Sequence, residues 1–205
     1  MPEPSGQASF AGEIVPGLFR YTMHDDRIDF QSDGYVLVNQ GRVVLIDPLP
    51  MPEPDLARYG LVEAICLTAS CHERAAWRYR RRFTVPVYAP TGAVDFEDTP
   101  DRWYQDRDRL PGGLLAVHAP GPTEAYYAFY LLRDEGVVFF GDLLTNPAGR
   151  GLGFVPDQYQ DDPARTRVTV RRLLDLKFRS MTSHHGDPIL RDAKAAITQA
   201  LAQDT

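Results

Sequence analysis

The sequence predicts a mixed α/β (α+β) fold in which helices pack on a two-sheet core or on one mixed sheet. In each half of the chain, two β-rich runs flank a short glycine-containing turn, and segments with helical patterning follow. The 205 residues, 43% of them hydrophobic, suffice for a sizeable core. We expect a flexible N-terminal tail at residues 1–11, which are rich in Pro, Gly and Ser, and a single domain at residues 12–205.

The first half of the chain is dominated by short β-rich runs. A hairpin is expected where residues 34–39 and 43–47 flank Gln40-Gly41-Arg42. The next apolar run, residues 64–67, ends at Thr68 and leads into a polar turn. Two further strands are expected at residues 13–15 and 17–21, and a short helix at 55–59.

The rest of the chain alternates helices, loops and strands. Ala and Arg enrich residues 71–83, which predicts a helix, and Asp162-Pro163 supplies an N-cap and first-turn pair for another. Leu190, Ala193, Ile197 and Leu201 recur at helical spacing after a second Asp-Pro pair. Residues 126–132 and 137–140 form the second expected hairpin, with further strands at 85–88, 114–117 and 178–182 and mostly loop at 90–111 and 145–161. The proline within residues 85–88 indicates a sheet edge or a strand end.

Composition and charge disfavour several classes of function. The net charge of −6 and the sequence pI of about 5.3 argue against nucleic-acid binding, and the basic run 78–82 is typical of a solvated helix end. No apolar stretch approaches bilayer length, and residues 1–12 lack the features of a signal peptide. With only Cys66 and Cys71 available, we expect a reduced, cytoplasmic protein that acts on a small-molecule substrate or ligand. The prevalence of two-fold dimers favours a homodimer.

Polar side chains gather in loops that follow apolar strands. Three such loops are residues 68–72, 141–142 and 183–187, and a fourth, 120–124, precedes a strand. Because α/β proteins keep their chemistry at the carboxyl ends of strands, we expect these loops to form one site.

This ordering of loops resembles the metallo-β-lactamase-fold superfamily over nearly the whole chain, from about residue 13 to 201. The hairpin ending at Asp47 is similar to the family's early hairpin, Gly141-Asp142 to its Gly-Asp motif, and His185-Gly186-Asp187 to its last histidine loop. The resemblance implies a four-layer αββα sandwich with a metal site at one edge of the sheets. It also implies that Asp47 supports the metal loop without binding the metal.

The family's signature, His-x-His-x-Asp-His, is absent, and two alignments of the loop remain open. Read without a gap, its four positions fall on Ala69, Cys71, Glu73 and Arg74, and the histidine of the later Gly-His-Thr loop falls on Pro122. This alignment retains Asp142 as a bridging ligand and His185 as a second-metal ligand. It also offers Cys71 as a soft replacement ligand and Glu73 as a further one.

In the other alignment, residues 68–74 resemble the shorter Thr-Asn-x-Asp-His-x-Arg loop of divergent members, although Cys71 stands where Asp is found. His72 then joins Asp142 and His185, with the Cys71 thiolate as an optional ligand. Three protein ligands plus one water is the form of a catalytic zinc site. The resemblance thus leaves two outcomes open: one zinc ion, or no metal at all.

These alternatives lead to two functions. The first is a hydrolase in which one metal activates water against an ester, thioester, lactone or phosphoester, while Asp142 or Glu73 accepts the proton; β-lactam hydrolysis is not expected. The second is a non-catalytic, metal-free binding or scaffold protein, in which Arg74 replaces the metal's charge and pairs with Asp142. Neighbouring side chains on extended chain point apart, so we expect one of His184 and His185 to face outward. The resemblance favours His185 as the ligand, and His184 is a candidate pocket residue. His24, in a loop near the early hairpin, is a candidate pocket residue.

Overall fold

The computed structural model of the protein describes residues 3–204, which form two β-sheets. The larger sheet has seven strands, and their spatial order is also their order along the chain. These strands are β1 (Ser9–Val15), β2 (Leu18–Asp25), β3 (Phe30–Asn39), β4 (Arg42–Ile46), β5 (Leu61–Cys66), β6 (Val87–Pro90) and β7 (Arg102–Tyr104). The smaller sheet contains β8 (Leu114–His118), β9 (Tyr127–Leu131), β10 (Val137–Gly141) and β11 (Ser180–Ser183), in the order β11-β10-β9-β8.

Helices cover the outer face of each sheet. They are α1 (Glu53–Ala57), α2 (Ala76–Phe83), α3 (Pro163–Leu173) and α4 (Ala193–Gln203), with short 3-10 turns at Ser70–His72, Pro111–Gly113 and Asp157–Tyr159. One apolar cluster joins the larger sheet to α1 and α2, a second lies between the sheets, and a third joins the smaller sheet to α3 and α4. The result is the four-layer αββα sandwich that the resemblance implied. None of the helices in the described part of the chain is long and apolar enough to cross a bilayer.

The alternation of side chains along single strands builds these layers. On β4, Val43 and Leu45 pack toward α1 and α2, whereas Val44 and Ile46 pack into the space between the sheets. All four side chains are fully buried. Because successive residues of a strand point to opposite faces, a strand covered on both faces requires the continuous apolar run that β4 shows.

Parallel pairing gathers the chemically important loops at one edge of the sandwich. β4 and β5 pair in parallel, as do β10 and β11. Asp47 directly follows β4, Asp142 follows β10 and His184 follows β11. The carboxyl ends of these strands therefore place the three side chains at a common edge, as expected for chemistry in this class of protein.

Both predicted hairpins are confirmed, with β3 pairing antiparallel to β4 and β9 to β10. The helix expected to open at Asp162-Pro163 is also confirmed, because the Asp162 side chain accepts a hydrogen bond from the backbone N–H of Arg165. Residues 85–88 do not lie at an edge, since β6 pairs with both β5 and β7. Pro86 comes directly before β6, so of the two expected positions, a sheet edge or a strand end, it occupies the strand end.

Several element boundaries differ from expectation. The helix predicted from residue 71 begins at Ala76, because Arg74 adopts a φ of 37° that no helix accommodates. The last helix begins at Ala193 rather than after residues 187–188, and Leu190 lies before it, 45% exposed. β1 starts at Ser9, inside the expected tail, whose first residues, 1–2, lie outside the described part.

Candidate metal centre

Asp47 anchors the loop that follows β5. Its carboxylate is fully buried and accepts hydrogen bonds from the backbone N–H of Thr68 at 2.8 Å and from the Thr68 hydroxyl at 2.9 Å. Burial opposes ionisation of this group, but His184 and Arg74 outweigh it and hold the pKa of Asp47 below its usual value. A charged Asp47 thus fixes the start of the loop that carries His72.

The protonation of His72 follows from its neighbours. Its Nδ1 lies 2.8 Å from the Thr68 hydroxyl oxygen, and its Nε2 lies 3.0 Å from Oδ2 of Asp142. Since the Thr68 hydroxyl donates to Asp47, we assign it as the acceptor of the His72 Nδ1–H. Burial lowers the pKa of His72 to about 4, so the ring is neutral at pH 7. The lone pair of Nε2 therefore faces the Asp142 carboxylate.

His185 meets the same carboxylate from another direction. Its Nδ1 lies 2.6 Å from the carbonyl oxygen of Gln31, and its Nε2 lies 3.3 Å from Oδ1 of Asp142. A carbonyl oxygen can only accept, so the proton of the neutral ring is on Nδ1. Nε2 of His185 then also presents a lone pair to Asp142.

Asp142 therefore faces two hydrogen-bond acceptors. Its Oδ1 atom is buried and has no hydrogen-bond partner among residues 3–204. Burial opposes ionisation of Asp142, so the pKa of this carboxyl stays well below its usual range only while positive charge or a donated proton on the histidines faces it. An ionised carboxylate opposed by two nitrogen lone pairs is unfavourable unless a cation or an additional proton lies between them.

His184 is fully buried within the same cluster, so both neighbouring histidines face inward, which contradicts the expectation that one of them faces outward. Its ring centroid lies 4.0 Å from that of His72. Its Nε2 is 2.8 Å from Oδ2 of Asp47 and its Nδ1 is 3.6 Å from Oδ1 of Asp142, but neither contact has hydrogen-bond geometry. β11 ends at Ser183, so the alternation of extended chain does not continue to His184 and His185.

Among residues 3–204, two groups of side chains are compact enough to surround one cation. Cys71, His72 and Asp142 offer ligand atoms within 4.8 Å of one another, and so do Asp47, His72 and His184. Thiolate, imidazole and carboxylate are all zinc ligands, so the first group fits a zinc ion. Burial, together with the charge of Asp142, raises the pKa of the Cys71 thiol, which stays protonated without a cation. His185 contacts Asp142 but belongs to neither group.

Two other predicted site residues point elsewhere. The Glu73 carboxylate accepts hydrogen bonds from the indole N–H of Trp77 at 2.6 Å and from the backbone N–H of Glu97 at 2.8 Å. These contacts direct it toward α2, which contradicts the prediction that Glu73 accepts the proton or binds a metal. The His24 side chain is 66% exposed and lies 3.1 Å from a carboxylate oxygen of Asp29, so the structure does not bring it to the cluster.

Arg74 does not replace a metal ion. Its guanidinium donates to the backbone carbonyls of Asp33 at 2.6 Å and Asp47 at 3.2 Å. No ion pair between Arg74 and Asp142 occurs in residues 3–204, so the expected pair is wrong. The guanidinium instead bridges the backbone of β3, at Asp33, and the residue that follows β4, Asp47.

Sequence reasoning missed Tyr126, which precedes β9 and is fully buried. Its hydroxyl oxygen accepts a hydrogen bond from the backbone N–H of Asp142 at 2.6 Å. Gly141 makes this approach possible, because a Cβ there would lie 1.9 Å from the hydroxyl oxygen. The glycine before Asp142 was the available signal, since it indicates a close approach of another group.

Comparisons with known proteins agree with this architecture. The family model of the metallo-beta-lactamase superfamily matches residues 14–203. No curated protein matches the chain. Three solved structures share the fold: the DIM-1 metallo-beta-lactamase, FIM-1 from Pseudomonas aeruginosa in its mono-zinc form, and a metallo beta lactamase from Erythrobacter litoralis.

The likeness to these three structures is close in fold and distant in sequence. DIM-1 has a TM-score of 0.71 and 15% identity, with 98% of this chain and 99% of that chain covered. FIM-1 has a TM-score of 0.72 and 16% identity, with coverage of 97% and 96%. The Erythrobacter litoralis protein has a TM-score of 0.70 and 16% identity, with coverage of 96% and 92%. Identity at this level shows the fold alone.

Proposed function

The chain belongs to the metallo-β-lactamase superfamily, and from that premise we propose that it is a metal-dependent hydrolase with a single-metal site. The observation that carries this proposal is the set of groups that face the Asp142 carboxylate. Two imidazole lone pairs, from His72 and His185, face an ionised carboxylate whose Oδ1 has no hydrogen-bond partner in the described residues. A divalent cation at this position would convert repulsion between acceptors into coordination.

The residues best placed to hold the ion are His72 and Asp142, with Cys71 completing the compact group. His185 approaches the same carboxylate and is the candidate for a further ligand. A zinc ion held there would lower the pKa of its bound water to about 7 and so supply a hydrolytic nucleophile at neutral pH. Esters, thioesters, lactones and phosphoesters are the substrate classes that this chemistry serves.

One side-chain hydroxyl and one backbone carbonyl orient the two imidazoles of this site. The Thr68 hydroxyl and the Gln31 carbonyl each accept an Nδ1–H and thereby direct Nε2 of His72 and His185 toward Asp142. Asp142, 19% exposed, is the more accessible of the two central carboxylates, since Asp47 is fully buried. We therefore assign the proton-accepting role to Asp142, and not to Glu73.

The proposal is tested by measuring the zinc, iron and manganese content of tag-free protein by elemental mass spectrometry, before and after chelation and zinc back-titration. We expect about one zinc per chain, lost in Asp142→Ala and His72→Ala. His24→Ala is the matched control, because it removes an exposed histidine away from the cluster and should retain the metal.

Hydrolysis of ester, thioester, lactone and phosphoester panels is measured on the same variants. Activity should follow zinc content across the series. The proposal is refuted if the wild-type protein takes up no stoichiometric metal, or if Asp142→Ala leaves both metal content and hydrolysis unchanged.

A further inference from the structure

A buried ion pair lies behind the candidate metal centre. Arg20, on β2, is 4% exposed, and Asp33, on β3, is fully buried. Nε of Arg20 donates to Oδ1 of Asp33 at 2.9 Å. Removing two charges from water is costly unless additional hydrogen bonds satisfy them. Three further hydrogen bonds of this pair lead to residues 184–187, here called the histidine loop.

Asp33 holds the histidine loop at two points. Its Oδ2 accepts a hydrogen bond from the backbone N–H of Gly186 at 2.9 Å, and its own N–H donates to the carbonyl of His184 at 2.8 Å. Arg20 continues the contact, because its Nη1 donates to Oδ1 of Asp187 at 2.9 Å. The pair therefore contacts the loop on both sides of His185.

Gly186 allows a second segment to press the loop against β3. Its φ of 127° suits glycine, and a Cβ there would lie 2.1 Å from the backbone of Asn146. The backbone N–H of Asn146 donates to the carbonyl of His185, and its carbonyl accepts from Asp187, both at 2.9 Å. The loop is thus held between the Asn146 backbone and the Asp33 carboxylate.

The same strand controls the imidazole of His185. Gln31 lies two residues before Asp33, and its carbonyl accepts the His185 Nδ1–H. The Gln31 side-chain amide also donates to Oδ1 of Asp33 at 3.2 Å. A loop displaced from β3 would lose the bond between His185 and Gln31, and the ring could then carry its proton on either nitrogen.

We propose that Asp33, paired with Arg20, is a positioning residue for the metal centre. It fixes the histidine loop on β3, so that His185 keeps its proton on Nδ1 and directs Nε2 to Asp142. Asp33 acts through the loop, since it hydrogen-bonds to the loop's backbone and not to Asp142. Its relevance to metal binding rests on the proposed function, whereas its effect on the loop does not.

The test uses the full-length, metal-free protein with ¹⁵N-labelled histidine. Imidazole NMR identifies the ring nitrogen that carries the His185 proton, and hydrogen exchange reports the Gly186 amide. We expect a single Nδ1–H tautomer in the wild type, and mixed tautomers with roughly tenfold or faster Gly186 exchange in Asp33→Asn. Zinc affinity should fall about 10- to 100-fold in that variant. Asp204→Asn, which alters an ion pair with Arg167 away from the loop, is the matched control and should change none of these readings.

Asp187→Asn provides a second test if Asp33→Asn does not fold, because the Asp187 side chain is 65% exposed. Asp187→Asn should also give mixed His185 tautomers and faster Gly186 exchange, with both changes smaller than in Asp33→Asn. Wild-type tautomer and exchange in every folded variant would overturn the positioning role, even if the wild type binds zinc. If the wild type binds no metal while these readings change, the hydrolase proposal fails and the positioning role stands.

Discussion

Replacing Tyr126 with Phe removes one oxygen atom from the support of Asp142. The hydroxyl accepts the Asp142 backbone N–H at 2.6 Å, and the tyrosine ring is fully buried. The ring of Phe fits the same space, so the variant isolates the lost hydrogen bond. An amide left without an acceptor in such a site costs about 1–3 kcal/mol of folding free energy. With a urea m-value of about 2 kcal/mol/M, the unfolding midpoint should fall by roughly 0.5–1.5 M.

Urea titration in the presence of a chelator measures this loss without any contribution from metal binding. Tyr159→Phe is the matched control, because Tyr159 is 69% exposed and its substitution should change the midpoint little. A competition titration of the metal-loaded protein should show zinc affinity reduced about tenfold in Tyr126→Phe. Equal midpoints for the two variants would refute the reasoning, since the amide would then have found another acceptor at no cost.

Two further predictions concern packing and pH. Gly121 has a φ of 143° and a Cβ there would lie 2.2 Å from the Thr166 hydroxyl oxygen, whereas Gly12 has a φ of 125° and no atom within 4 Å of such a Cβ. Gly121→Ala should therefore destabilise the fold by about 1–3 kcal/mol more than Gly12→Ala in urea unfolding, and equal losses would contradict the clash. Hydrogen bonds from Arg80 hold the pKa of Asp101 below its usual 3.8, so this pair stabilises the fold above that pH and the stabilisation is lost as pH falls through the lowered value. The drop in thermal midpoint between about pH 7 and pH 3 should be smaller in Asp101→Asn than in the wild type, and an identical drop would exclude this contribution.

The sequence predicted the fold well where local pattern decides structure. Both hairpins combine two β-rich apolar runs with a short glycine-containing turn, and such signals depend only on neighbouring residues. The placement of Asp142 and His72 at one edge was also predictable, because each follows a strand. The layered arrangement itself required the family resemblance, since periodicity cannot distinguish two packed sheets from one mixed sheet.

Other features of the site depend on contacts that the sequence does not display. Residues 71–83 have helical composition throughout, yet Arg74 adopts a φ of 37° and donates to the backbone carbonyls of Asp33 and Asp47. The Glu73 carboxylate points away from the site because it accepts a hydrogen bond from the indole of Trp77, four residues later. The sequence placed Glu73 in the same helix as Trp77, whereas the helix begins at Ala76. Asp33 binds Gly186 from 153 positions away, and no local signal indicates such a contact.

The strand order has a consequence for how the protein assembles. Every strand of the larger sheet precedes Leu114, and every strand of the smaller sheet follows Tyr104, so each sheet comes from one continuous half of the chain. The side chains around the candidate metal centre are divided between these halves, with His72 from the first and Asp142 and His185 from the second. The cluster therefore exists only after the halves have docked. An ion bound there would link two separately paired sheets. Its loss would weaken the contact between the sheets before it disturbed the pairing within either sheet.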